Sequence, residues 1–97
     1  MANKRRPFNA VLNLTLADTE YSYTFPPDTV AFALKPRKSH RIKLSWQSGE
    51  SGSVYFTTGP GAACMEEGIY NAGGAPLIIY AQCDVAAEVL EIIGWRQ

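Results

Sequence analysis

Apolar and polar residues alternate with a period of two along most of the chain. Leu12, Leu14 and Leu16 are separated by polar residues, and Ile42 and Leu44 alternate with charged or polar neighbours. This spacing is typical of strands that bury one face and expose the other. It predicts eight strands, at about 12–16, 21–25, 30–34, 41–46, 53–58, 63–70, 77–82 and 85–95. The uninterrupted apolar run at 77–82 predicts a central strand.

The segments between these strands are short and rich in Gly, Pro, Asp and Ser, as at 26–28 and 47–52. Strands about ten residues apart with such turns are typical of β-sandwiches and barrels. We therefore predict an all-β fold, an antiparallel β-sandwich of about eight short strands, with the jelly roll as one form of it. A small open β-barrel of the oligonucleotide-binding kind is the alternative.

The last segment, 85–95, is the one ambiguous element. Residues 86–91 include good helix formers, so a helix is an alternative for its first turns. The β-branched Val89, Ile92 and Ile93, followed by Trp95, favour a strand.

The length of 97 residues, with 46% hydrophobic and 19% charged residues, predicts one soluble folded domain. We place this domain at residues 10–97 and a flexible basic arm at residues 1–9. The longest uncharged stretch, 68–83, contains Gly, Asn and Pro and does not have the character of a membrane-spanning helix. The N-terminus lacks the apolar run of a signal peptide, which predicts a protein made in the cytoplasm.

Charge is unevenly distributed along a chain whose net charge is zero. Residues 1–47 carry eight Lys or Arg and three acids, a balance of +5, and residues 48–97 carry one Arg and six acids, a balance of −5. If the two halves form different surfaces, the basic face of one subunit complements the acidic face of another. If strands of the two halves interleave, the charges pair within the subunit.

The residues that could carry catalysis do not form a recognisable group. His40 is the only histidine, and a unit of Ser39 or Ser45, His40 and Asp18 lacks the sequence of a nucleophile turn. We expect His40 to be an exposed structural residue. The adjacent Glu66 and Glu67 would point to opposite faces of a strand. The sequence therefore predicts no enzymatic activity and no catalytic residues.

Cofactor and metal sites are not expected either. Cys64 and Cys83 are interpreted as free thiols, because a cytosolic protein rarely keeps a disulfide. Together with His40 they are too few for a zinc site. The Gly-rich segments 59–61 and 73–74 lack the spacing of a phosphate-binding loop and are predicted to be turns.

Nucleic-acid binding is the main competing hypothesis. A basic segment from Lys35 to Lys43, with Trp46 and Tyr55 nearby, would suit a groove with stacking aromatic rings on a barrel. The zero net charge argues against it, and the alternation places Trp46 on the same face as Leu44, so we expect Trp46 in the core.

Several short segments resemble small virion proteins encoded by tailed bacteriophages. They are LADTEYS at 16–22, FP at 25–26, FALKPR at 32–37, IYAQ at 79–82 and EIIGW at 91–95. The likeness runs from about Leu12 to Trp95 and includes no catalytic signature.

This resemblance implies an antiparallel sandwich located in the virion. The implied role is that of a head decoration or cement protein, and the alternative is a head-tail connector or tail component. Its expected partners are the major capsid protein and further copies of itself, as a dimer or trimer. Independently of the resemblance, the basic residues of the chain give the candidate partner-contact residues Lys4, Arg5, Arg6, Arg37, Lys38, Arg41 and Lys43.

Overall fold

The computed structural model describes residues 6–38, 40–58, 64–67 and 77–96. Residues 64–67 are described by their backbone alone. Within these ranges the chain forms strands and turns and no helix. The eight strands are β1 (Arg6–Leu14), β2 (Tyr21–Thr24), β3 (Thr29–Pro36), β4 (Ile42–Ser45), β5 (Phe56–Thr58), β6 (Cys64–Glu67), β7 (Ile78–Gln82) and β8 (Glu88–Arg96).

The strands form two antiparallel four-stranded sheets. Their orders are β1-β8-β3-β6 in the first sheet and β2-β7-β4-β5 in the second. The pairs β1·β8, β2·β7, β3·β6 and β4·β5 are those of one long hairpin that turns back between β4 and β5. Winding this hairpin into a coil places β8 beside β3 and β7 beside β4, which gives a jelly roll. The predicted sandwich is confirmed, and the barrel alternative is wrong because the described strands lie in two separate sheets.

The core lies between the inner faces of the two sheets. Along β8 every second residue from Glu88 to Gly94 is buried, and along β4 both Ile42 and Leu44 are fully buried. This is the period of two on which the strands were predicted. The core side chains from both sheets are Leu14, Phe25, Phe32, Leu34, Ile42, Leu44, Ile79, Ala81, Cys83, Leu90 and Ile92.

The first strand begins at Arg6 and so includes residues 6–9, which the sequence assigned to a flexible arm. Residues 1–5 of that arm lie outside the described part of the chain. Pro7 does not prevent pairing, because β1 is an edge strand and one side of an edge strand needs no N–H donors. Phe8 packs on Gly94, where an added Cβ would lie 2.5 Å from the Phe8 ring. This packing holds the start of β1 against the end of β8.

Two expected core residues are exposed because their strands end earlier than predicted. β1 ends at Leu14 and leaves Leu16 60% exposed, and β4 ends at Ser45 and leaves Trp46 41% exposed. The prediction of Trp46 as a core residue is therefore wrong. The alternation of side chains between two faces holds only while the backbone remains extended.

The last segment is a strand, as predicted, and the helix alternative is wrong. The strand starts at Glu88, after a turn in which Ala87 adopts a positive φ of 62°. The Ala87 N–H donates to the Thr15 carbonyl at 3.1 Å and fixes this turn against the end of β1. β7 is a central strand, as its apolar run predicted.

β2 and β5 agree with the sequence in position but are shorter than predicted, whereas β3 runs from Thr29 to Pro36 and extends beyond the predicted 30–34 at both ends. Residues 53–55 of the predicted fifth strand precede β5, and the Val54 N–H closes a turn by donating to the Glu50 carbonyl at 2.8 Å. Residues 63 and 68–70 of the predicted sixth strand lie outside the described residues.

Candidate partner-binding surfaces

The outer face of the first sheet carries a shallow apolar depression of about 320 Å³. Val11 of β1 and Ile93 of β8 are 46% and 43% exposed there. The pairing places Ile93 beside both Asn9 and Ala33, so the depression crosses three neighbouring strands. We call this surface the outer-face depression. Two large aliphatic side chains on the wet side of a sheet, surrounded by polar residues, suit contact with another protein.

Charged residues border the outer-face depression on one side. The register aligns Val11, Glu91 and Lys35 across β1, β8 and β3. The Arg37 guanidinium donates to Glu91 at 2.9 Å, with the two side chains 51% and 41% exposed. The pair neutralises this border and leaves Lys35 as its exposed cation.

A second depression, of about 280 Å³, lies where β4 leads into β5. We call it the aromatic depression, and its lining residues are Ser45, Trp46, Gln47, Val54, Tyr55 and Phe56. Trp46, Tyr55 and Val54 are 41%, 44% and 60% exposed. Exposed Trp and Tyr are the residue types that most often dominate binding energy in protein interfaces.

Ring contacts hold the aromatic depression in place. The Trp46 ring lies 5.7 Å from the buried Phe32 ring in an edge-to-face arrangement and 6.4 Å from the Phe56 ring. The Lys43 ammonium lies 5.1 Å above the centre of the Tyr55 ring. Both exposed rings are thus pre-positioned, which lowers the entropy lost when a partner binds.

Several of the predicted contact cations contact other residues of the same chain. Arg6 bonds to Asp28 at 2.9 Å, and the Lys38 ammonium donates to the Ala87 carbonyl at 2.9 Å. Arg37 bonds to Glu91, as described above, and Lys43 lies over Tyr55. Arg41 is exposed, whereas Lys4 and Arg5 lie outside the described residues.

The two oppositely charged halves of the sequence are interleaved in space. In each sheet, strands from the first half alternate with strands from the second half. The Arg37–Glu91 pair and the Arg96–Asp28 pair, the latter at 2.7 Å, both join the two halves. The structure therefore favours charge pairing within the subunit over separate basic and acidic faces.

His40 is exposed, as predicted, but its partner is a residue that the sequence analysis missed. The Nδ1 atom of His40 lies 2.8 Å from Oε2 of Glu88, and the His40 side chain is 50% exposed. Glu88 is 1% exposed, and its Oε1 atom has no hydrogen-bond partner among the described residues. The spacing Glu88, Leu90, Ile92 indicates this burial, because residues two apart share one face of a strand.

The imagined catalytic unit of His40 with Asp18 and a serine is not assembled in the described residues. Ser45 Oγ accepts from the Gln47 N–H at 3.1 Å, and Asp18 belongs to the turn after β1, where its N–H donates to the Cys83 carbonyl. Ser39 and the side chains of Glu66 and Glu67 lie outside the described part of the structure.

Glu20 is a second carboxylate that the sequence did not single out. It accepts hydrogen bonds from the Gly49 N–H at 2.8 Å, the Ser51 N–H at 3.1 Å and the Ser51 hydroxyl. Burial raises the pKa of Glu20, but these three donors together outweigh it and hold the pKa below its ordinary value. Glu20 thereby fixes the connection between β4 and β5 that carries the aromatic depression.

Cys83 is a free, fully buried thiol. Its Sγ lies 3.2 Å from the Arg41 carbonyl, to which it donates, and burial raises the pKa of this thiol. A protonated buried thiol is a poor nucleophile and a poor metal ligand. Among the described residues, no group of three or more His, Cys, Asp or Glu side chains is close enough to hold a metal ion.

Membrane insertion through a helix finds no support in the described segments, since none forms a helix of sufficient length and apolarity.

Comparisons with known proteins bear on the fold. No family model and no curated protein matches the sequence. A designed protein solved by NMR in solution, a de novo double-stranded β-helix, is similar in structure with a TM-score of 0.54. The match has 15% sequence identity and covers 94% of this chain and 99% of the designed one. The double-stranded β-helix is the wound hairpin described above, so the likeness supports the jelly-roll arrangement of the strands.

Proposed function

We propose that this protein is a non-enzymatic structural protein of a bacteriophage virion. In this role it decorates the head and stabilises the capsid through protein-protein contacts. It is made in the cytoplasm of the bacterial host, and its partners are the major capsid protein and further copies of itself. The observation that carries the proposal is a jelly-roll sandwich with two apolar depressions on its surface, one of which has its exposed aromatic rings held in place by ring contacts.

The arrangement of the two depressions supports a cementing role. The outer-face depression lies on the first sheet, and the aromatic depression lies on the second sheet beside β4 and β5. A small protein that contacts two neighbours at once stabilises their assembly, because it binds the assembled state and not the separate subunits. The jelly roll is also an architecture that viral capsid proteins use.

The proposal is tested by adding the purified protein back to virions that lack it. We expect the protein to bind and to restore resistance to heat and to chelators. The double variant Trp46→Ala/Tyr55→Ala removes the exposed rings of the aromatic depression, and we expect it to bind at least about tenfold more weakly. Leu16→Ala is the matched control, since Leu16 is an exposed apolar residue outside both depressions.

Virions that are equally resistant with and without the protein would contradict a cementing role. Quantitative mass spectrometry of purified virions separates the alternatives by copy number. A head decoration protein is expected in a high copy number, whereas a head-tail connector or tail component is expected in a low copy number that is a multiple of three, six or twelve. Salt-sensitive retention on single-stranded DNA that is lost in Arg41→Ala would instead favour a nucleic-acid-binding role for the basic segment 35–43.

A further inference from the structure

The four sheet edges of the sandwich differ in how well they are protected against pairing with another strand. β2, β5 and β6 are edge strands of only four, three and four residues, and β6 contains Glu66 and Glu67. β1 is an edge strand of nine residues with no charged residue between Pro7 and Leu14. Its register with β8 is continuous over its whole length, without a bulge. Short length, charge and bulges are the means by which proteins block edge pairing, and β1 has none of them over 8–14.

We propose that β1 pairs antiparallel with β1 of a second copy around a two-fold axis. The pairing joins the two first sheets into one eight-stranded sheet. This inference rests on the part of the proposed function in which the protein associates with itself, and it names the surface that does so.

The direction of the backbone groups on β1 follows from the neighbouring strands. The Arg37 N–H donates to the Val89 carbonyl at 2.9 Å. The backbone N–H and C=O groups of the odd-numbered residues in this part of β8 therefore point towards β3. The backbone N–H and C=O groups of the even-numbered residues of β8 point towards β1, where the register pairs them with even-numbered residues such as Leu12. The N–H and C=O groups of Asn9, Val11 and Asn13 consequently point away from the sheet.

The position of Pro7 agrees with this assignment. A proline has no N–H to donate, so in an edge strand its nitrogen lies on the side that faces solvent and not on the side that pairs. Pro7 also sets the register. Complete antiparallel pairs can form only between residues that have both a donor and an acceptor, so Asn9, Val11 and Asn13 are available. Centring the axis on Val11 pairs Val11 with its copy and Asn9 with Asn13 in both directions, and all three pairs are complete.

The side chains that meet in this register are compatible. Val11 is 46% exposed on the outer face and would lie against its own copy, a favourable β-branched pair. The asparagines on either side can bond to each other. The nearest charged outer-face residue is Glu91, and Arg37 neutralises it at 2.9 Å. No like charges therefore oppose the approach of the two edges along 8–14.

The two outer-face depressions would become neighbours across the axis. Both depressions include Val11, so pairing makes them one apolar surface that spans the dimer. Pairing of three residues on each side buries less area than a permanent dimer needs, so we expect a concentration-dependent dimer.

The first experiment measures association of the purified full chain by sedimentation equilibrium from micromolar to millimolar concentration. We expect a monomer-dimer equilibrium. Val11→Lys places two ammonium groups opposite each other and should raise the dissociation constant at least about tenfold. Ile93→Lys is the matched control, because Ile93 is 43% exposed against 46% for Val11, on the same face, but lies on β8, away from the edge. Thermal unfolding of both variants confirms that each is folded.

A second experiment tests the register. Val11→Cys should give a disulfide between the two copies under mild oxidation, because paired residues bring their Cα atoms within about 5.5 Å. Asn13→Cys should not, since the two substituted residues would be about 14 Å apart along the strands. Peptide mass spectrometry identifies the bridge and separates it from any that involve Cys64 or Cys83.

A chain that stays monomeric at millimolar concentration, or forms a trimer, would overturn the proposal. Equal weakening by Ile93→Lys and Val11→Lys would show that the sheets stack by their faces. Cross-linking of Asn13→Cys as readily as Val11→Cys would refute the register. Dimerisation is measured without virions, so a dimer that does not bind virions would contradict the virion role and leave the edge pairing intact.

Discussion

Glu20 and Glu88 occupy comparable positions in two regions of the molecule, yet the more deeply buried carboxylate, Glu88, has fewer hydrogen-bond donors than Glu20. Each carboxylate anchors a connection between strands: Glu20 anchors the connection from β4 to β5, and Glu88 the connection from β3 to β4. Glu20 is only partly buried and has three donors. Glu88 is 1% exposed and has one donor, the half-exposed His40, with Oε1 unpartnered among the described residues.

The comparison shows that the donors around a carboxylate, more than its depth, decide how securely it anchors a loop. The donors to Glu20 include two backbone N–H groups that the fold itself holds in place. The anchor at Glu88 depends on one side chain, and the loss of that side chain leaves a buried carboxylate without a described partner. We therefore expect the region around Glu88 to be the more vulnerable of the two.

The largest expected effect is that of His40→Ala. Removing the only described donor to Glu88 should lower the free energy of unfolding by about 2–3 kcal/mol, less than for a fully buried pair because water can reach the vacated position. Urea denaturation measures the change. His40→Gln keeps a donor and should recover part of the loss.

The double variant His40→Ala/Glu88→Met isolates the cause. Met has a similar length and no charge, so the histidine should become nearly dispensable once Glu88 is replaced. If His40→Ala costs the same stability in both backgrounds, the vulnerability does not come from the buried carboxylate and the comparison with Glu20 fails.

The intermediate effect is that of Glu20→Gln, which keeps the size of the side chain but removes its charge. We expect a loss of about 1–2 kcal/mol at neutral pH and faster hydrogen exchange at the amides of Gly49 and Ser51. Because the pKa of Glu20 is lowered in the folded state, its contribution is present above its ordinary value of 4.5 and is lost as the pH falls through the folded pKa. The difference between wild type and Glu20→Gln should therefore shrink in acid.

Asp28→Asn provides the matched control for acid sensitivity. A hydrogen bond from Arg96, opposed by some desolvation and supported by the charges of Arg96 and Arg6, lowers the pKa of Asp28. This variant should also flatten the acid limb of the stability profile but leave exchange at Gly49 and Ser51 unchanged. An unaltered acid limb in Glu20→Gln would contradict the role of the three donors.

The smallest effect is expected for Arg37→Ala. The Arg37–Glu91 pair is about half exposed on both sides, so water replaces the lost partner and stability should change by less than about 1 kcal/mol. Thermal unfolding measures it. If Arg37→Ala lowers the free energy of unfolding as much as His40→Ala does, the exposure of a carboxylate does not determine how much the loss of its partner costs.

The sequence predicted the strands well because local side-chain alternation is what makes a strand two-sided. It predicted their ends less well. The positive φ of Ala87 and the tolerance of Pro7 in an edge strand depend on neighbours that are distant in sequence. Trp46 is exposed because β4 ends at Ser45, one residue before the alternation predicted, and alternation alone does not show where a strand ends.

The candidate surfaces were harder to predict for a related reason. The charge imbalance between the halves suggested separate faces, but strand order determines where charges lie, and strand order is not written in any local pattern. Arg37 and Glu91 are 54 residues apart in sequence and 2.9 Å apart in space. Glu88 could have been found from the sequence, because it shares the spacing of Leu90 and Ile92.

The nested arrangement of the strand pairs has a consequence for how the chain reaches its final state. The innermost residue pair joins Leu44 to Phe56, and the outermost joins Arg6 to Arg96. Closing the outermost pair first would require ordering a loop that contains nearly the whole chain, whereas closing the innermost pair requires a much shorter one. Folding should therefore start at the β4–β5 turn, and the strand pairs should form in order from this turn outwards, with β1 and β8 pairing last. The overall rate should be slow, as for other proteins rich in distant contacts.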